Sequence, residues 1–210
     1  MANPYLTLFT SEQIRTLSAI VQVGNEAFRE IVNQDMALRH RYLRETKQRM
    51  LTKMIQMQCE IESHLPNFPF RFSERTFRGG QVIPELDNGQ VILHLARSRA
   101  PDMLPYSSKY KVELSTNNKL LERQLVIDDD VPSVPVIRDV HYYAILTFGD
   151  LTNPFAVIQF PEPGFSAVAE SIPLPLIAGF DADDGAKSFE RKKAVLKKEF
   201  LAQEKGEGIS

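Results

Sequence analysis

Between Ser11 and Leu65 the chain has no proline and one glycine, Gly24, and it is dense in Leu, Met, Gln, Glu, Arg and Lys. These residues lose little freedom in a helix, so the whole stretch is committed to helix before any tertiary contact is considered. Thr10 or Ser11 can cap its start, with Pro4 safely outside. Ile14, Leu17, Val21, Phe28 and Ile31 recur at helical spacing and share one stripe. Gly24 falls on that stripe, where the lack of a side chain permits close approach of another element.

The stripe continues through Met36, Leu43, Met50, Met54, Met57 and Ile61, displaced by one position, so the register slips near Asn33, Gln34 and Asp35. Two arrangements satisfy that slip: one long helix with a stutter, or a turn that folds two helices into a hairpin. A straight helix of ~50 residues would run roughly 75 Å, which calls for a partner chain and an oligomeric coiled coil. The hairpin needs none.

From Pro66 to Pro175 the texture changes to prolines, β-branched residues and aromatics, and a sheet is expected. Gln90 to Ala96, Val140 to Phe148 and Phe155 to Phe160 read as strands, the last two as an antiparallel hairpin around Gly149, Asp150, Asn153 and Pro154. Val140 to Phe148 is apolar on both alternating faces, which predicts a central strand. Phe70 to Phe77 suits an edge strand with Arg71, Arg75 and Arg78 facing water, and Ser107 to Gln124 has helical spacing with Ser107 or Ser108 as cap. A basic amphipathic helix is expected after Asp181, Asp183 and Asp184, where residues 187–205 carry seven basic against three acidic side chains. The fold class is therefore α+β: a long helix or helical hairpin over 1–65, a mainly antiparallel sheet with one internal helix over 66–180, and a basic helix with a tail over 181–210.

The counts narrow the function classes. One cysteine, Cys59, and four scattered histidines give no internal disulfide and no zinc-type spacing, and no run reaches the ~18 apolar residues of a membrane span. A reducing, cytoplasmic setting without membrane attachment is expected. Phosphate-cradling glycine motifs and a serine nucleophile elbow are absent, and the string Lys109-Tyr110-Lys111-Val112-Glu113 reverses the order that carboxylate-metal nucleases use. No catalytic residue, metal or cofactor is therefore assigned. His94 and His141 lie on expected strands of one sheet and could meet if those strands were adjacent; core or edge histidines are the plainer reading.

Formal charge is near neutral at −2, but it is a cancellation of local patches. Arg39, Arg41, Arg44, Lys47, Arg49 and Lys53 stand against Glu45 alone, a patch able to neutralise nucleic-acid phosphates or to serve as a solvated face pairing with the aspartates at 128–130 and 181–184. Arg97, Arg99, Ser107, Ser108, Lys109 and Lys111 form a second candidate anion site at a strand end and helix start, equally readable as a solvated strand end with a serine cap. Met36, Met50, Met54 and Met57 can line a partner-docking groove or fill the core. The expected function is a non-catalytic binding or assembly protein that self-associates or docks a partner through its N-terminal helices and contacts nucleic acid through basic patches. A phosphodiester-cleaving enzyme and an adaptor that covers another protein are the alternatives.

Overall fold

A computed structural model of the chain describes residues 4–77, 80–118 and 141–176. The described residues belong to one compact unit, 1–176. The expected C-terminal helix, the acidic runs at 128–130 and 181–184, and Arg78 lie outside the described residues.

Helix α1 spans Ser11–Gln34 and α2 spans Arg44–Ser63. Thr10 opens α1 with a full capping box: its hydroxyl accepts from the Gln13 N–H at 3.2 Å, and the Gln13 amide oxygen accepts from the Thr10 N–H at 3.0 Å. The register slip is a real break. Asp35 leaves helical geometry, its carboxylate accepts from the Ala37 N–H at 2.9 Å, and two short 3-10 turns over Met36–Arg39 and Arg41–Leu43 reverse the chain. Of the two arrangements, the molecule has the hairpin. Gly24 is its point of closest approach, since a Cβ there would lie 2.7 Å from Ile55 Cγ1 and 2.9 Å from Ile55 Cα.

Six strands form one sheet in sequential order: β1 Arg71–Thr76, β2 Val82–Asp87, β3 Val91–Arg97, β4 Tyr142–Phe148, β5 Ala156–Pro161 and β6 Val168–Pro173. Every pairing is antiparallel except β3 with β4, which run parallel with Val91 opposite Tyr142. Parallel neighbours need a crossover, and here it carries helix α3, Lys109–Ser115. The expected internal helix is thus short; a 3-10 turn over Thr116–Asn118 follows, and the rest of the 107–124 expectation lies outside the described residues. β4 is central and its side chains from Tyr143 to Phe148 are buried, as its two-faced apolarity predicts.

Strands β2 and β6 were not legible in the sequence. Pro84 and two carboxylates argue against an interior strand, yet β2 accommodates them because Pro84 faces Glu74 of the edge strand β1 and Glu85 has buried partners. β6 is an edge strand whose apolar run is interrupted by Glu170 and Ser171.

The hairpin covers one sheet face. Leu17, Val21, Phe28, Leu51 and Ile55 share a single hydrophobic cluster with Leu86, Leu93, Leu95, Leu146, Phe148 and Ile158. Each such fully buried aliphatic contributes about 1.5–3 kcal/mol, so the apolar stripe that asked for a partner finds it in the sheet. The opposite face is covered by α3 and the 98–108 segment around Tyr143, Ile145 and Phe165.

Candidate functional site: a cationic cleft beside a closed polar chain

Two polar assemblies occur in the sheet unit. The first is closed. Arg75, Glu85, His94 and Tyr143 come from four neighbouring strands, and the register puts Glu85 opposite His94. Arg75 Nε donates to Glu85 Oε2 at 3.0 Å, His94 Nε2 lies 2.9 Å from the same oxygen, and His94 Nδ1 lies 3.2 Å from the Tyr143 hydroxyl. An ionised carboxylate only accepts, so Nε2 carries the ring proton and Nδ1 accepts the Tyr143 O–H. Burial holds the His94 pKa below its ordinary value, with the Glu85 hydrogen bond offsetting part of that, which agrees with a neutral ring. The hydrogen bond from His94, with the charge of Arg75, holds Glu85 below the usual carboxylate range against the cost of its burial. Burial raises the Tyr143 hydroxyl, so it stays a donor. Tyr110 on α3 closes the chain, its ring edge-on to His94 at 5.5 Å.

Arg75 was expected to face water; instead it is half-buried against Glu85, because the strand beside β1 is one the sequence concealed. His94 and His141 do not meet: His141 precedes β4 and sits 3.3 Å from Asp87, whereas His94 is opposite Ile145.

The second assembly is open. A cleft of about 1050 Å³ lies between α2, the end of β3 and the 98–108 segment, with Arg49, Lys53 and Gln56 on one wall and Arg97, Arg99 and Tyr106 on the other. It shares Glu45, Gln48, Arg97 and Arg99 with a neighbouring hollow that adds Arg41, Tyr42, Arg44 and Asp150. Two cation sets far apart in sequence thus border one space. Among the described residues, six guanidinium or ammonium groups line it against two carboxylates, Glu45 and Asp150.

Both carboxylates are already engaged. Glu45 binds Arg49 one helical turn on at 2.5 Å, with both side chains exposed. Asp150 Oδ1 accepts the Thr152 and Asn153 N–H groups at 3.0 Å each, while Oδ2 accepts Arg97 Nη2 at 2.9 Å. Burial works against ionisation of Asp150, but those backbone donors and Arg97 outweigh it and hold its pKa below the ordinary carboxylate value. The turn that presents Asp150 requires Gly149, where a Cβ would lie 1.9 Å from the Asn153 carbonyl oxygen.

The facing segment is rigidly tied. The Ser98 N–H donates to the Phe148 carbonyl at 3.1 Å, its hydroxyl to the Met103 carbonyl at 2.5 Å, and the Gln159 amide donates to the Pro101 and Met103 carbonyls at 2.7 and 3.2 Å. Gln56, buried on α2, lines the cleft with an amide oxygen that has no hydrogen-bond partner. Tyr106 and Tyr42 are 81% and 77% exposed, each beneath an arginine: Arg99 lies 5.6 Å from the Tyr106 ring and Arg41 lies 5.1 Å from the Tyr42 ring.

The expected residues divide as follows. Arg97, Arg99 and Ser107 reach the cleft, joined by Arg41, Arg44, Arg49 and Lys53 from the basic patch. That patch is not one helical face. Arg39 leaves it to cap α1, donating to the Asn33 carbonyl at 2.8 Å, and Lys47 borders a separate hollow. Lys109 points to solvent near Glu113 at 3.9 Å, and Ser108 caps α3 by position without a side-chain bond to it. Lys111 is buried and does not line the cleft; it donates to the Tyr106 carbonyl at 2.7 Å, and burial lowers its pKa to about 8. The methionines also separate: Met50 and Met54 pack against the core, while Met36 and Met57 stay exposed. Cys59 is buried and its thiol is pushed up to about 12, which leaves it unreactive.

No family model, curated protein or solved structure matches this chain. Function must therefore be argued from the cleft itself. Among the described residues, no group of three His, Cys, Asp or Glu side chains is placed to hold a metal ion, and no helix is long and apolar enough to cross a membrane. Gln56, Tyr106 and Asp150 were not singled out as site residues in the sequence; only the aromatic next to a basic residue, as at Arg41-Tyr42, carries any sequence signal.

Proposed function

We propose that the protein is a binding protein for single-stranded nucleic acid, held in the cationic cleft between α2 and the 97–107 segment. The observation that carries this reading is the convergence of Arg41, Arg44, Arg49 and Lys53 with Arg97 and Arg99 around one space in which, among the described residues, the two carboxylates are already bonded. Cations in such excess attract a polyanion and release its counterions. The exposed Tyr42 and Tyr106 rings favour a single strand, because unpaired bases can stack on them and paired ones cannot.

The test is fluorescence anisotropy of a short labelled oligothymidylate across a salt series. Four to six phosphate contacts predict a slope of log K against log salt of about −3 to −4. The combined substitution Arg41→Ala, Arg49→Ala and Arg99→Ala removes about half of that slope, and duplex of the same length competes poorly. Binding that ignores salt, or that survives the triple substitution unchanged, overturns the reading.

A further inference from the structure

A separate hollow of about 400 Å³ opens beside the cleft, between the end of α1, the start of α2 and the β4–β5 turn. Phe28, Val32, Leu51 and Leu151 form its apolar floor, and Arg41, Arg44 and Lys47 stand at its rim. Its size is that of a small-molecule site, about 300–1000 Å³, and an apolar floor under a few placed polar groups is the usual lining of one. The combination suits a ligand with a flat apolar body and an anionic end. The hollow shares Arg41, Arg44, Gln48 and Asp150 with the smaller hollow that adjoins the cationic cleft, so one ligand can reach from one into the other. Gln48 offers an amide donor and acceptor on the shared wall, suited to the polar edge of a base. The Asp150 charge does not oppose a phosphate there, because Arg97 neutralises it.

We infer that this hollow is a nucleobase pocket: one unstacked base of the bound strand lies over Phe28, Val32, Leu51 and Leu151 while Arg41 and Arg44 hold its phosphate. The inference rests on the cleft reading above and adds to it a base-recognising subsite. The strand in the cleft would otherwise be gripped only by its backbone and by stacking on exposed tyrosines.

The probe is adenosine monophosphate, with ribose 5-phosphate as the control of similar charge but no ring, followed through the methyl NMR signals of Val32, Leu51 and Leu151. A base in the hollow shifts those methyls by its ring current, and ribose 5-phosphate leaves them in place. Thr152→Trp, on the exposed lip, fills the hollow and weakens adenosine monophosphate at least tenfold. Lys47→Glu, which borders this hollow and not the cleft, weakens it severalfold without touching the core. Thr152→Trp changes no charge, so with that variant the oligothymidylate keeps its salt slope. Equal shifts with ribose 5-phosphate, or methyls that stay unmoved, overturn the base pocket while salt-dependent oligonucleotide binding leaves the cleft reading standing. Loss of that binding in the unaltered protein as well defeats both.

Discussion

The closed chain across β1 to β4 and the open cleft beside α2 are built from similar side chains, yet they do opposite things with charge. In the chain, Arg75 has Glu85, Glu85 has His94, and His94 has Tyr143, with His94 and Tyr143 at 1% exposure. These four side chains are bonded to one another within the same molecule. In the cleft, cations outnumber carboxylates three to one and the space between them is open. A matched buried network specifies the fold, whereas unmatched charge around a concavity is an offer to something outside. The contrast therefore sorts residues by consequence: changes in the chain should cost stability, and changes in the cleft should cost binding.

The largest stability effect is expected from Glu85→Ala, which strands the Arg75 guanidinium and the His94 N–H together. Breaking a largely buried pair from one side costs about 3 kcal/mol, and urea denaturation should show it while oligonucleotide affinity of the folded protein stays put. A loss of binding as large as the loss of stability would erase the distinction between the two regions. Gly24→Ala comes next, at about 2 kcal/mol, because Ile55 backbone cannot yield to a new Cβ at 2.9 Å. Tyr143→Phe, which leaves His94 Nδ1 without its donor, should cost about 1 kcal/mol and nothing in binding. Arg49→Ala should invert the pattern, with stability within ~0.5 kcal/mol because its ion pair with Glu45 is exposed, but with measurably weaker oligonucleotide binding.

Acid sharpens the same comparison. A histidine held below its ordinary pKa makes the unfolded chain the better proton binder, so His94 contributes fully above the usual value of 6.5 and stability falls as pH drops through it. Glu85, also held low, contributes above the usual 4.5, and that contribution is lost as pH falls further toward its folded value. Thermal melts between pH 7 and 5 should show a fall that His94→Gln flattens. A guanidinium does not titrate in that range, so salt-dependent binding by the folded protein should change little.

Periodicity made the helices readable, because the stripe from Leu17 through Gly24 to Phe28 records the face that packs, and the frame slip at Asn33 to Asp35 records where the packing direction changes. The two-sided apolarity of β4 likewise records a strand covered on both faces. β2 was hidden because its proline and carboxylates obey neighbours that are distant in sequence. The same blindness split the candidate site: Arg97 and Arg99 were read with Ser108, Lys109 and Lys111, their nearest neighbours along the chain, whereas their spatial neighbours are Arg41, Arg49 and Lys53.

By itself, then, the sequence determined the elements whose signal is local: the capped α1, the register slip near Asp35, the edge strand β1 and the central strand β4, and which segments carry net positive charge. Which charges are spent and which remain available was decided only by tertiary structure. Arg39, Arg75 and Arg99 look alike in the chain, but one caps a helix, one joins a buried network and one borders a cleft. The physical reason is that a charge is neutralised by whatever lies within a few ångströms, and for most of these side chains the relevant partner arrives from tens of residues away.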